Sequence, residues 1–213
     1  MNHLLLQGFE MSNKFIKLIR PHQYIKNSFV LLGVVFSGQW EQSVLYSVGI
    51  AFLSLCAVAS AVYVLNDILD IEADRQHPTK RNRPLACGAI SLRMGWWLSG
   101  GFAMLAFALA SFVSLWAFVF VLAYALLNIG YSWRWKHVAV LDVFIISTGF
   151  MLRILVGTVG LSIAPSSWLL LCGLMLTLFL GFAKRRAELL ALEQAGVHDR
   201  ALTRRVLDDY SPI

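Results

Sequence analysis

Charge is scarce in this sequence. Lysine, arginine, aspartate and glutamate make up 14% of the 213 residues, against 58% hydrophobic residues and a mean hydropathy of +0.68. That balance excludes a water-soluble domain and makes the bilayer the solvent. Cysteine is scarcer still. Cys56, Cys87 and Cys172 stand at no paired spacing, which excludes a disulfide framework and a cysteine metal site and leaves them as packing residues. No segment repeats at a period of roughly 20 to 50 residues and no low-complexity linker divides the chain, so residues 1–213 read as a single membrane domain. Met1 to Arg20 lacks the small-residue cleavage site of a signal peptide. The N-terminus is therefore expected to be retained, with 1–18 a flexible segment and Met11 an alternative start.

What the sequence has in abundance is apolar runs. They lie at roughly 26–39, 44–66, 93–112, 115–134, 139–160 and 165–184, about six helices at roughly 20 residues each, the first short enough to be tilted or re-entrant. An all-α, polytopic membrane helical bundle follows. Basic residues orient it. Lys14, Lys17, Arg20 and Lys26 precede or open the first run; Arg75, Lys80, Arg81, Arg83 and Arg93 lie between the second and third; Arg134 and Lys136 lie between the fourth and fifth. Lys184, Arg185, Arg186, Arg200, Arg204 and Arg205 follow the sixth, whereas the opposite connections at 39–43, 111–114 and 157–167 hold no Lys or Arg. The positive-inside rule places both termini and every charged loop, including 185–213, in the cytoplasm, in a multi-pass protein of the inner (cytoplasmic) membrane. The net charge of +6 is thus a topological signal, and no nucleic-acid partner follows from it.

The densest charge lies between Asn66 and Leu85, where twenty residues hold four acids, one histidine and four bases directly after an apolar run. If the helix continues through Asp74, then Asp67, Asp70 and Asp74 fall at i, i+3 and i+7 and share one face. Three carboxylates on a face suit a hard divalent cation such as Mg²⁺, with Asn66 as a further oxygen ligand and Lys80, Arg81 and Arg83 close behind for phosphate charge. A solvated charged loop is the alternative. Asn66 to Arg83, Tyr131 to Asp142 and Lys184 to Glu188 are expected to converge on one mouth of the bundle, where a membrane enzyme meets both a water-soluble phosphate compound and a lipid tail. Arg20, Lys26 and Asn27 add a fourth cluster, whose bases would face phosphates. Arg153 stands apart, roughly halfway along an apolar run. A charged centre there costs about 2.5–3.5 kcal/mol on insertion scales, so it needs either a structural partner, backbone carbonyls or Asp142, or a phosphate in a polar cavity.

At these residues the chain resembles the UbiA-type prenyltransferase superfamily. The resemblance rests on Asn66-Asp67-x-x-Asp70-x-x-x-Asp74 followed by Arg83-Pro84-Leu85-Ala86-x-Gly88. Within it the chain looks like the decaprenyl-phosphate phosphoribosyltransferase branch, through His77-Pro78-Thr79-Lys80, Arg20-Pro21-x-Gln23-x-x-Lys26-Asn27, Tyr131 to Lys136, Asp142, Arg153 and Lys184-Arg185-Arg186-x-Glu188. The similarity runs from about Ile19 onward. It implies a fold of nine membrane helices, of which this sequence holds about six. Many family members carry an aspartate-rich DxxxD after the fourth helix. Here that stretch is Tyr131-Ser-Trp-Arg-Trp-Lys136, which leaves Asp142 as the second-site acid and favours the phosphoribosyl branch.

The resemblance implies a Mg²⁺-dependent transferase in which diphosphate leaves a carbon that becomes cationic. Asp67, Asp70 and Asp74, with Asn66, would hold metal; Lys80 and Arg83 would neutralise the leaving group. Arg20, Lys26, Asn27, Asn66, His77, Arg81, Tyr131, Lys136, Asp142, Arg153, Lys184 and Arg185 would bind substrate. The first reading is transfer of phosphoribosyl from 5-phosphoribosyl 1-diphosphate to a polyprenyl phosphate for cell-envelope polysaccharide precursors. The partners are then a polyprenyl phosphate or diphosphate lipid and a soluble phosphorylated sugar. Prenyl transfer from a polyprenyl diphosphate to an aromatic acceptor is the second reading, and a non-catalytic lipid-phosphate-binding membrane protein the third.

Overall fold

A computed structural model describes residues 13–133, 138 and 140–194, and among them every regular element is helical. Residues 13–19 form α1. A 3₁₀ helix, Pro21–Leu31, runs into the short α2, Leu32–Ser37, and the long α3, Gln42–Leu69, is followed by the six-residue α4, Ile71–Gln76. Next come α5 (Leu92–Val113), α6 (Leu115–Trp133), α7 (Leu141–Gly157) and α8 (Ser167–Gln194). Among the described residues five helices, α3 and α5 to α8, are long and apolar enough to cross a membrane. The first apolar run is the sixth helical segment, irregular and short. Pro21 opens it at the position where a missing N–H costs nothing.

The centre of the bundle is α3, because its middle is made of small residues. Ser54 to Val62 are buried without interruption, and Ala, Ser and Cys side chains let neighbouring backbones approach closely. Hydroxyls in this zone find carbonyls on the next helix: Ser54 donates to Ala106 O at 2.8 Å, and Ser99 of α5 donates to Ala61 O at 3.0 Å. Such pairing removes the penalty of a bare hydroxyl at membrane depth. By contrast α5 and α8 turn Trp96, Trp97, Met104, Trp168, Met175 and Phe179 outward, the arrangement expected of surfaces that meet hydrocarbon chains.

The 3₁₀ segment and α2 lie against α7 at two glycines. A Cβ at Gly33 would collide with the carbonyl of Gly157, and one at Gly157 with the carbonyl of Val30. Backbone cannot rotate out of the way as a side-chain tip can. Gly157→Ala is therefore expected to destabilise the bundle by about 3 kcal/mol, the upper end for overpacking. Gly49→Ala, where a Cβ meets open space, should be nearly neutral. Thermal unfolding of both variants in detergent checks this; equal melting would mean that the crossing is loose.

The expected continuation of α3 through Asp74 is corrected. The helix ends at Leu69, and Asp70, at φ −94° and ψ 8°, sits in the bridge region before α4 begins. The i to i+4 bonds Asp70 N–H to Asn66 O and Asp74 N–H to Asp70 O persist across the junction at 2.9 and 2.8 Å. The break is thus a local bend, and Asp67 and Asp74 stay on the same side of it.

Candidate active site

The α3 C-terminus, the 71–90 loop and the start of the 3₁₀ segment are tied together by one ion-pair cluster. Asp67, 2% exposed, accepts from Arg20 Nη2 at 2.5 Å and from Arg83 Nη1 at 3.0 Å. The same Arg83 nitrogen donates to Asp74 Oδ2 at 2.7 Å. Arg20 itself has a left-handed backbone, φ 54° and ψ 57°, a conformation that a bulky residue adopts only when its surroundings hold it. Here its guanidinium is held by Asp67 and lies 5.2 Å from the centre of the Tyr63 ring. A polar cavity of about 310 Å³ opens on this cluster, lined by Lys17, Arg20, His22, Asp67, Asn82 and Arg83 among others.

Asn66 turns its amide oxygen to the hydroxyl of Ser132, 2.5 Å away on α6, so it joins two helix ends. Asp70 is half-buried at the junction. His77 uses Nδ1 to accept from the backbone N–H groups of Thr79 and Lys80 at 3.3 and 3.4 Å, which gives it a part in shaping the loop. Lys80 and Arg81 are exposed on the 3₁₀ turn Lys80–Asn82.

A second, larger cavity of about 610 Å³ lies beside the first, and Lys26, Tyr131, Arg153, Lys184 and Arg185 all line it. Tyr63 lines it too, one helical turn before Asp67. Arg20 therefore stands at the seam between the cavities. Arg153 is buried and finds neutral partners: Nε donates to Asn27 Oδ1, Nη1 to Gly149 O and Nη2 to the Tyr124 hydroxyl, each at 2.8 Å. The ring of Tyr124 is 4.6 Å from its guanidinium carbon. Asn27 is buried as well and donates to Cys56 Sγ at 3.3 Å.

Asp142 is fully buried at the start of α7 and forms an ion pair with Arg185 Nε at 2.8 Å. Arg185 also pairs with Glu188 at 2.5 Å. Lys184 and Arg185 stand on α8, whose helix continues past the end of the apolar run to Gln194. Lys136 lies outside the described residues. Three residues with a place in the site were not singled out by sequence: Tyr63, Tyr124 and Asn128. A signal existed for two of them, since Tyr124, Asn128 and Tyr131 fall at i, i+4 and i+7, a polar stripe on an apolar helix.

Among the described residues no group of three His, Cys, Asp or Glu side chains stands close enough together to hold a metal ion. Two carboxylates do converge. The guanidinium of Arg83 is the cation that Asp67 and Asp74 share, so they face a volume where positive charge is stabilised. Their hard oxygens fit Mg²⁺, which needs only one or two carboxylates when phosphate oxygens and water complete its shell.

Residues 27–190 match the UbiA prenyltransferase family. The chain belongs to this family. A decaprenyl-phosphate phosphoribosyltransferase of Corynebacterium glutamicum is 37% identical over 209 residues, 95% of this chain and 61% of that protein. One of Mycolicibacterium smegmatis is 37% identical over 201 residues, 92% of this chain and 62% of that protein. The UbiA chain here thus spans less than two thirds of the length of these relatives. Among solved structures, a UbiA homolog from Archaeoglobus fulgidus bound to GPP and Mg²⁺ superposes with a TM-score of 0.70 at 22% identity, covering 86% of this chain and 66% of that one. That likeness establishes the UbiA fold.

Proposed function

We propose that this chain carries the catalytic end of a Mg²⁺-dependent membrane transferase that moves phosphoribosyl from 5-phosphoribosyl 1-diphosphate to a polyprenyl phosphate of the decaprenyl type. Such a lipid-linked sugar phosphate would feed cell-envelope polysaccharide synthesis. The observation that carries the reading is the juxtaposition of the Asp67–Arg83–Asp74 cluster in a polar cavity with a larger, mostly apolar cavity lined by bases. The decaprenyl-phosphate phosphoribosyltransferases similar to this chain, and the absence of a DxxxD sequence after α6, support it over prenyl transfer to an aromatic acceptor.

In this reading the sugar C1–O bond to diphosphate breaks as a C1–O bond to the lipid phosphate forms, and the electron pair leaves with diphosphate. Asp67 and Asp74, with Asp70 and Asn66 adjoining, would hold Mg²⁺, which would supply charge neutralisation for the leaving group. Arg20 and Arg83 stand at those carboxylates and are placed to donate to phosphate oxygens, while Lys80 and Arg81 lie exposed on the adjoining turn and add positive charge. His77 keeps that loop in shape. The incoming phosphate oxygen is anionic near neutral pH and needs no general base. The cytoplasmic orientation read from Lys and Arg puts the mouth where a soluble sugar diphosphate is available.

The test is transfer of labelled phosphoribosyl to a polyprenyl phosphate by membranes containing this protein. The expected result is a labelled lipid that requires Mg²⁺ and vanishes with EDTA. Diphosphate released from a prenyl diphosphate, with none from phosphoribosyl diphosphate, would overturn the proposal in favour of a prenyltransferase.

A further inference from the structure

The end of α3 and the end of α6 are joined by one hydroxyl. Ser132 is buried, and its Oγ lies 2.5 Å from Asn66 Oδ1 and 2.9 Å from the carbonyl of Asn128, one turn earlier in α6. A serine hydroxyl carries a single proton, so it serves only one of these two acceptors at a time. With the proton on the Asn66 side, the amide nitrogen of Asn66 keeps two N–H groups that meet no acceptor among the described residues. A half-turn of the amide exchanges its oxygen and nitrogen, which fill nearly the same space, and moves nothing else. The chain of bonds then closes. Asn66 Nδ2 donates to Ser132 Oγ, Ser132 Oγ donates to Asn128 O, and Asn66 Oδ1 is turned away from α6. That oxygen belongs to the residue directly before Asp67 and one turn before Asp70, whose N–H bonds the Asn66 carbonyl at 2.9 Å. Residues four apart share a helix side. Beside carboxylates, an amide oxygen adds a hard donor for a divalent cation, whereas an amide N–H repels one.

We infer that Ser132 is the positioning residue that aims Asn66, holding Nδ2 so that Oδ1 is offered to Mg²⁺. It acts through the amide and touches neither metal nor substrate. The inference rests on the reading of Asp67 and Asp74 as metal-binding carboxylates, and it adds a hydroxyl 66 positions away on another helix. An unheld amide turns between its two orientations, and only one of them presents oxygen. A hydroxyl that accepts on one side and donates on the other selects that orientation, as the partners behind metal ligands do.

The experiment is titration of the purified chain in phosphatidylcholine nanodiscs with Mn²⁺, which takes the same oxygen ligands as Mg²⁺, read by electron paramagnetic resonance without turnover. Wild type is expected to bind saturably, and Ser132→Ala about 10-fold more weakly, the lower end of the loss when the partner behind a ligand is removed. Ser132→Thr keeps the hydroxyl and should bind as wild type does. Ser99→Ala is the matched control. It removes an equally buried hydroxyl, one that donates to Ala61 O elsewhere in the bundle, and should leave Mn²⁺ affinity unchanged. Asn66→Ala should weaken binding at least as much as Ser132→Ala, and combining the two should cause no further loss, because the serine acts only through the amide. Wild-type affinity in Ser132→Ala, with binding still lost in Asp67→Asn, would overturn the inference and leave the metal site standing. A loss in Ser132→Ala that adds in full to that of Asn66→Ala would also overturn it. A wild type that binds no Mn²⁺, even with diphosphate present, would remove the metal reading itself and the inference with it.

Discussion

Asp67→Asn is expected to abolish Mg²⁺-dependent transfer, lowering kcat/KM by about 10³-fold, since charge neutralisation at a metal is worth several kcal/mol in the transition state. The change keeps the shape of the side chain and removes its charge. That charge is placed with care: Asp67 is 2% exposed and is the acceptor shared by Arg20 and Arg83. With asparagine there, both guanidinia lose a carboxylate and the face shared with Asp74 loses half of its negative charge. Glu72→Gln is the matched control. Glu72 lies five residues away, but its side chain is 77% exposed and pairs with Arg75 in the solvated part of the loop, so activity should stay near wild type. Initial rates for wild type and both variants, each over a range of Mg²⁺ concentration, decide the matter. Retained activity in Asp67→Asn, or equal damage from Glu72→Gln, would remove the two-carboxylate site.

The architecture was legible because two strong signals agree. Apolar runs give the helices, and the alternation of Lys and Arg between connections says which ends meet. The charged segments at Asn66, Tyr131, Asp142 and Lys184 do gather, through Asn66–Ser132, Asp142–Arg185 and the common wall of the larger cavity. Period puts Asp67, Asp70 and Asp74 on one face of an unbroken helix; in the structure the helix ends before Asp70, and it is Asp67 and Asp74 that share Arg83. What sequence could not supply were partners far apart in the chain. Arg153 offered backbone carbonyls, Asp142 or a phosphate as candidates. The structure gives it a carbonyl, Gly149 O, but also Asn27, 126 positions away, and Tyr124. Asp142 goes to Arg185, a pairing set by how α7 and α8 pack and invisible in either segment alone. Their place in a motif marks His77 and Asn66 as substrate or metal residues. Their ring nitrogen and amide oxygen are engaged with the loop backbone and with Ser132, which only the bend after α3 and its contact with α6 reveal.

The Asp142–Arg185 pair leads to the largest expected change in stability. Arg185→Met should destabilise the bundle by about 3–5 kcal/mol, the cost of removing one member of a buried ion pair. Both side chains are almost wholly out of solvent, 0% and 2% exposed, and the pair is a charged tie between α7 and α8. Methionine fills much of the same volume, but it takes the guanidinium from the fully buried Asp142 carboxylate and from the partly exposed Glu188. Asp142→Leu combined with Arg185→Met should recover most of the loss, because a well-packed apolar pair at the same place carries no desolvation penalty. Thermal unfolding of the two variants and wild type in one detergent measures both effects. A single variant that melts with wild type would show that helix packing alone holds α8. A double variant no more stable than the single would show that the cost lies in lost packing and not in the lost ion pair.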